Sequence, residues 1–197
     1  WVIKPLWSPF IDILRTKRWW IIAMQLLIGA SLAGVAFTIP APYWLQGSLA
    51  FFWMMAFSSA THDIAADGFY MLGLEQHDQA YFVGIRSTFY RIATIVGQGL
   101  LVMLAGNLEV VTRNIKYSWS ITFYGMAGLF IAFWLWHNYI LPRPTEDKGM
   151  TRLSGSEIMS EFWMTLKTFF QKPQVWAGCC FMLLLRIPEG LLAKVKL

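Results

Sequence analysis

Apolar and polar positions alternate along this chain in blocks, not in the short periods of a soluble domain. Trp19 to about Ile39, Trp44 to about Leu74, Tyr81 to about Ala105 and Ser118 to about Leu141 are each long and mostly apolar. About 20 such residues cross the roughly 30 Å hydrocarbon core of a bilayer as a helix. Trp1 to about Leu14 reads as the last part of a further span, and Val175 to about Leu192 as the beginning of another. Between them lie Arg15–Arg18, Pro40–Tyr43, Glu75–Gln79, Asn107–Tyr117 and a long polar segment from Pro142 to about Pro173. The pattern predicts an all-α membrane protein: a partial helical bundle of antiparallel neighbours with no sheet. The chain starts inside an apolar segment and stops just after an apolar run, so the expectation is an internal piece whose partners include the remainder of its own polypeptide.

Alternation of the loops assigns sides. Arg15, Lys17, Arg18, Arg143, Lys148, Arg152, Lys167 and Lys172 fall on one side, while Arg113 and Lys116 fall on the other. Cytoplasmic loops are enriched in Lys and Arg, so the first side is cytoplasmic. Within the long cytoplasmic segment, Ser154 and Glu157 fit a capping box. Ile158, Phe162, Thr165/Leu166 and Phe169 then recur at helical spacing. This predicts an amphipathic helix over Ser154–Phe170, lying on the membrane surface or on the bundle.

Composition agrees. The chain is 57% hydrophobic, 17% aromatic and 14% charged, too apolar for an ordinary soluble domain. The net charge of +5 is spread over the loops, which argues against a nucleic-acid partner and for a lipid bilayer. Cys179 and Cys180 are sequence neighbours, a spacing that rarely supports a disulfide. No phosphate-binding glycine loop, dinucleotide fingerprint or nucleophile with a base stands out, and no cofactor is implied. The expectation is a protein that is not an enzyme.

Candidate chemistry concentrates in Ala60-Thr61-His62-Asp63-Ile64-Ala65-Ala66-Asp67-Gly68-Phe69-Tyr70, in the last third of a span. Each ionisable side chain at a membrane-helix centre costs roughly 2.5–3.5 kcal/mol on insertion scales. Asp63, Asp67 and Tyr70 share a helix face, and His62 points about 100° away. His62 and Asp63 are therefore no catalytic dyad. His62 with two Asp lacks the further ligands a metal needs. The next span carries Arg86, Tyr90 and Ala93/Gly97 on one line and Ser87, Arg91, Thr94 and Gln98 on another. Arg91 and Gln98 lie well inside it, so Arg91 is the expected partner of Asp63 or Asp67. Such a pair is either a fixed structural bridge or a charge pair that breaks and reforms. Arg186 and Glu189 flank the helix-breaking Pro188 and are further pathway candidates. Asp12, Arg15, Arg18 and Arg86 are the gating candidates. Gly29, Gly34, Gly84, Gly97, Gly99, Gly125 and Gly128 are expected to permit close helix contacts.

These features together resemble the major facilitator superfamily. The spans match two to six of its first six-helix half, then the cytoplasmic linker, then the start of span seven: residues 1–142, 143–174 and 175–197. The stretch Asp12–Arg18 is similar to the family's basic loop, without its usual glycines. Ala60–Gly68 resembles the span-four motif of AmpG-type muropeptide permeases and of acetyl-coenzyme A transporters, with His62 in place of the usual Gln. Pro5–Pro9 and Leu185–Glu189 also resemble stretches of both groups. The resemblance implies a transporter of the bacterial inner (plasma) membrane moving a small-molecule solute by alternating access. A proton-coupled permease for muropeptides or other peptidoglycan fragments is one form of it. An acetyl-coenzyme A type transporter, or a membrane-embedded sensor or enzyme, is the alternative. It places Asp63, Asp67, Arg91, Gln98, Arg186 and Glu189 on the path of solute or protons.

Overall fold

The computed structural model describes residues 4–147, 155–178, 180, 181 and 184. Among these the chain is helical, with no strand. It forms two compact units, 1–151 and 152–197, of which the first carries the bundle.

In the first unit, α1 (Lys4–Leu14) leads through a basic turn into α2 (Lys17–Thr38). Thr16 caps α2, its hydroxyl accepting from the Trp19 N–H at 3.2 Å. The helix ends just before Pro40, whose ring admits no continuing backbone hydrogen bond. The helix α3 (Trp44–Gly73) returns antiparallel. After a turn at Leu74-Glu75, α4 (Gln76–Ile95), a π-helical segment (Val96–Leu100) and α5 (Leu101–Thr112) form one continuous rod. The last helix of the unit is α6 (Ile115–Ile140).

Among the described residues, three helical rods are long and apolar enough to cross a membrane: Lys17–Thr38, His77–Thr112 and Ile115–Ile140. The 30-residue α3 has the length but not the hydropathy. Gln46, Ser48, Ser58, Ser59, Thr61, His62, Asp63 and Asp67 dilute it. Two of these, Ser48 and Ser58, are buried and hydrogen-bonded inside the bundle. Ser58 donates to the Met54 carbonyl, and Ser48 shares a 3.2 Å hydrogen bond with Thr38 of α2.

The expected polar loop over Asn107–Tyr117 is not a loop. The helix runs on to Thr112, and the turn is only Arg113 and Asn114. Arg113 is left-handed, at φ 52°, and its N–H closes on Glu109 O at 2.8 Å. Asn114 then caps α6 through Tyr117 N. The polar residues Asn107 and Glu109 are surface positions of a helix that outlasts the apolar block.

Helix α2 is the central element, packed on α3 and α6. Ile11, Ile21 and Ala65 form one cluster with Trp7, Trp20 and Phe69. Ile28, Leu32 and Ala127 form another with Met55, Phe123 and Phe130. Lipid is as apolar as these side chains, so close packing and interhelical hydrogen bonds hold the bundle. Two of the glycines expected to permit close contacts serve that packing. A Cβ on Gly29 would meet Ile131 and Phe130 at 3.4 Å, and one on Gly34 would overlap the Phe51 ring. By contrast, Gly84, Gly97, Gly99, Gly125 and Gly128 have no atom within 4 Å of such a Cβ, so their expected packing role is not seen among the described residues. Gly34→Ala is expected to force Phe51 aside and destabilise the protein by about 1–3 kcal/mol, whereas Gly125→Ala is expected to be near neutral. Thermal unfolding of both variants checks this.

The loop sides agree with the alternation read from the sequence. Arg18 reaches the end of α6, and Lys17 lies against Gly68 near the end of α3. At the opposite end, Lys116 sits over the Trp44 ring.

In the second unit, α7 (Gly155–Gln171) has no buried residue. Trp163, Phe169 and Phe170 are exposed on it, and Phe170 packs on Trp176. The expected amphipathic helix is there; its cap Ser154 lies outside the described residues, as do Lys148 and Arg152.

Candidate functional site

Asp63 and Asp67 stand one turn apart on α3 and face α4. The arginine that meets them is Arg86, not Arg91. Its guanidinium lies 3.6 Å from Asp63 and in direct contact with Asp67. The Asp67 contact is one of charge, since the enclosed Oδ1 takes no well-directed hydrogen bond. Arg86, named above as a gating candidate, is thus the partner of the acidic pair. Arg91 is exposed on α4 and makes no ion pair among the described residues. Level explains the difference. In antiparallel helices, partners lie at similar distances from the connecting turn. At 1.5 Å per residue, Asp67 and Asp63 are ~12 and ~18 Å before Glu75, Arg86 is ~16 Å after it, and Arg91 is ~24 Å after it.

Helix α4 is exposed along nearly its whole length, while α5 docks on α6. Among the described contacts, α4 is tied to α3 by Arg86 and by Gln79 in its first turn. Gln79 accepts a hydrogen bond from the Tyr70 hydroxyl and donates to Leu74 O. Tyr70 therefore braces the turn instead of extending the acidic face. Gln98 is exposed in the π segment between Gly97 and Gly99. π-bulges recur at functional sites and kinks, and here the bulge joins the undocked α4 to the docked α5.

A second face of α3 holds a cavity of about 420 Å³. Ile21 and Gln25 of α2, His62, Phe69 and Tyr70 of α3, and His137 of α6 help line it. Gln25 is buried, and its amide meets His137 Nδ1 at 2.7 Å through Nε2 and 3.0 Å through Oε1. His62 Nε2 is buried without a hydrogen-bond partner. Neither Gln25 nor His137 figured among the sequence candidates. The signal was present: Gln25 is an isolated polar residue in an apolar stretch, and His137, with Asn138, interrupts another.

The other gating candidates join helix ends. Asp12 pairs with Lys17 at 2.9 Å, and Arg15 lies over the Trp19 ring. Arg18 donates from Nε to Leu141 O at 3.1 Å and from Nη2 to Asn138 O at 2.7 Å, satisfying carbonyls at the end of α6. In return Asp147, just beyond α6, accepts from the N–H groups of Lys17 and Arg18 at the start of α2. This reciprocal cap was not anticipated, because 129 residues separate Asp147 from Arg18. Arg186 and Glu189 lie outside the described residues. No group of three or more potential metal ligands occurs among the described residues.

Comparison with known proteins places the chain. It is 24% identical over 194 residues to the anhydromuropeptide permease of Escherichia coli (strain K12), covering 96% of this chain and 37% of the relative. The anhydromuropeptide permease of Escherichia coli O157:H7 aligns with the same figures. An uncharacterized protein of Haemophilus influenzae is 26% identical over 189 residues, covering 93% of this chain and 41% of the relative. The chain thus spans about two fifths of the length of these curated relatives. No solved structure matches. The profile of the BT1 family matches residues 1–189. With that match over nearly its whole length, this integral membrane chain belongs to the BT1 family.

Proposed function

We propose that the full-length protein is a secondary transporter that moves a small polar solute through a membrane by alternating access. The solute is an anhydromuropeptide or a related peptidoglycan fragment, and the driving ion is the proton. The reading puts the protein in a bacterial inner membrane. It assigns residues 1–142 to spans two to six, 143–174 to the cytoplasmic linker and 175–197 to the start of the second half.

The observation that carries the reading is Arg86 set against both Asp63 and Asp67. A helix rich in buried contacts has kept two carboxylates, and a nearly undocked neighbour supplies their counter-charge. A bridge whose only task was stability would be poorly placed, since half-exposed ion pairs contribute about 0–1 kcal/mol. A pair that holds one state of a moving helix needs no more than that. Membership of the BT1 family and the likeness to anhydromuropeptide permeases support the same reading. Arg91, Gln98, Arg186 and Glu189 remain proposed pathway residues on the resemblance, with Arg91 and Gln98 on the exposed side of α4 and the π segment.

The test is uptake by the purified full-length protein in sealed vesicles. Labelled anhydromuropeptide is expected to accumulate with an inward proton gradient and to stop when an uncoupler is added. Accumulation of acetyl-coenzyme A instead would overturn the substrate assignment. Gradient-independent uptake would overturn the coupling, and no uptake of either compound would overturn transport of both classes.

A further inference from the structure

Arg86 sets its one positive charge against both carboxylates of α3, while His62 Nε2, on the other face, is buried with no hydrogen-bond partner. We infer that His62, with His137 and Gln25 across the 420 Å³ cavity, forms a proton-binding site that controls how firmly α4 is held to α3. This deepens the transport reading by naming where the proton acts.

The geometry is as follows. A neutral imidazole offers one donor and one acceptor, and a protonated one offers two donors. His62 Nε2 is buried and bonded to nothing, yet its residue lines a cavity large enough for water. His137 is secured differently. The Gln25 amide presents both its Nε2 and its Oε1 to Nδ1, so it donates to a bare nitrogen or accepts from a protonated one. The two imidazoles act on each other electrostatically, and so do His62 and Asp63. Like charges repel, so a proton on one imidazole disfavours a proton on the other.

The remaining charged and titratable groups nearby are Asp67 and Tyr70 on α3 itself, Lys17 on α2, Asp12 on α1 and Arg86 on α4. Arg86 is the one that connects the site to motion. Its contact with Asp63 is the longer of its two, at 3.6 Å. A proton on His62 sets a second cation beside Asp63, and Arg86 then shares a carboxylate it had held. α4 is otherwise tied to α3 only at the Gln79 turn among the described contacts, and the π segment at Val96–Leu100 lets it bend away from the docked α5.

The experiment uses full-length protein in lipid nanodiscs and needs no transported solute, so it stands even if the substrate assignment fails. Imidazole NMR of the labelled protein follows His62 and His137 from about pH 5 to 8. Spin labels at Val83→Cys on α4 and Tyr139→Cys on α6, in a background free of other reactive cysteines, follow α4. The expected result is titration of His62 in that range with a matching change in the label distance. That change is expected to be lost in His62→Gln, which keeps polarity without a titrating ring, and in His62→Asn. A distance change that persists unaltered in both variants would overturn the proposal. So would a His62 resonance that does not titrate, or a titration with no change in distance.

Discussion

Arg86→Gln is expected to lower uptake by the full-length protein at least about tenfold, equivalent to about 1.4 kcal/mol of lost transition-state stabilisation. Arg91→Gln, which breaks no ion pair among the described residues, is expected to lower uptake less than Arg86→Gln does. The first variant leaves Asp63 and Asp67 facing each other without their shared counter-ion, and two carboxylates on one face disfavour full ionisation. Stability should change little, by about 1 kcal/mol or less, because the arginine is half-exposed. Uptake assays paired with thermal unfolding separate the two effects. Equal losses in the Arg86 and Arg91 variants would place the functional contact elsewhere on α4.

Asp147→Ala is expected to give the largest loss of stability among the polar substitutions considered. The carboxylate bonds Lys17 N at 2.7 Å and Arg18 N at 3.0 Å, two of the open N–H groups that begin α2. Its negative charge also suits the positive end of the helix dipole. Loss of an N-cap costs about 0.5–2 kcal/mol, and a cap that also joins distant segments belongs at the upper end. Arg18→Ala should act similarly from the other side, since it strips the last carbonyls of α6 of their donor. The check is the thermal midpoint of each full-length variant. Asp147→Asn, which keeps an accepting oxygen, is expected to retain part of the effect. An unchanged midpoint in Asp147→Ala would show that water replaces the cap at no cost.

Much of this architecture was readable in the chain. Apolar block length sets the helices, and Pro40 and the Arg15–Arg18 turn punctuate them. Alternating sides then follow from connectivity, and the contacts of Arg18 with α6 and of Lys116 with Trp44 agree. The 3.6-residue period was enough to put Asp63 and Asp67 on one face and His62 on another. What was not readable was distance along the sequence turned into distance in space. Burial cost favours the deeper Arg91, but level across an antiparallel turn selects Arg86. Likewise Gln25 and His137 are 112 residues apart, and only the packing of α2 on α6 brings them together. Small residues misled for a related reason. A glycine permits close approach, but whether a neighbour is there depends on the partner helix, as with Phe51 at Gly34 and nothing at Gly97.

The central claim is that Arg86 and the α3 carboxylates act as one unit in transport. A double-mutant cycle on uptake tests it most directly, with Arg86→Gln, Asp67→Asn and the combination in full-length protein. The account predicts strong coupling: once the arginine is gone, neutralising Asp67 costs nothing more, and relief of the unpaired charge restores part of the lost uptake. Strict additivity of the two single effects would contradict it, because residues that do not share an interaction add independently.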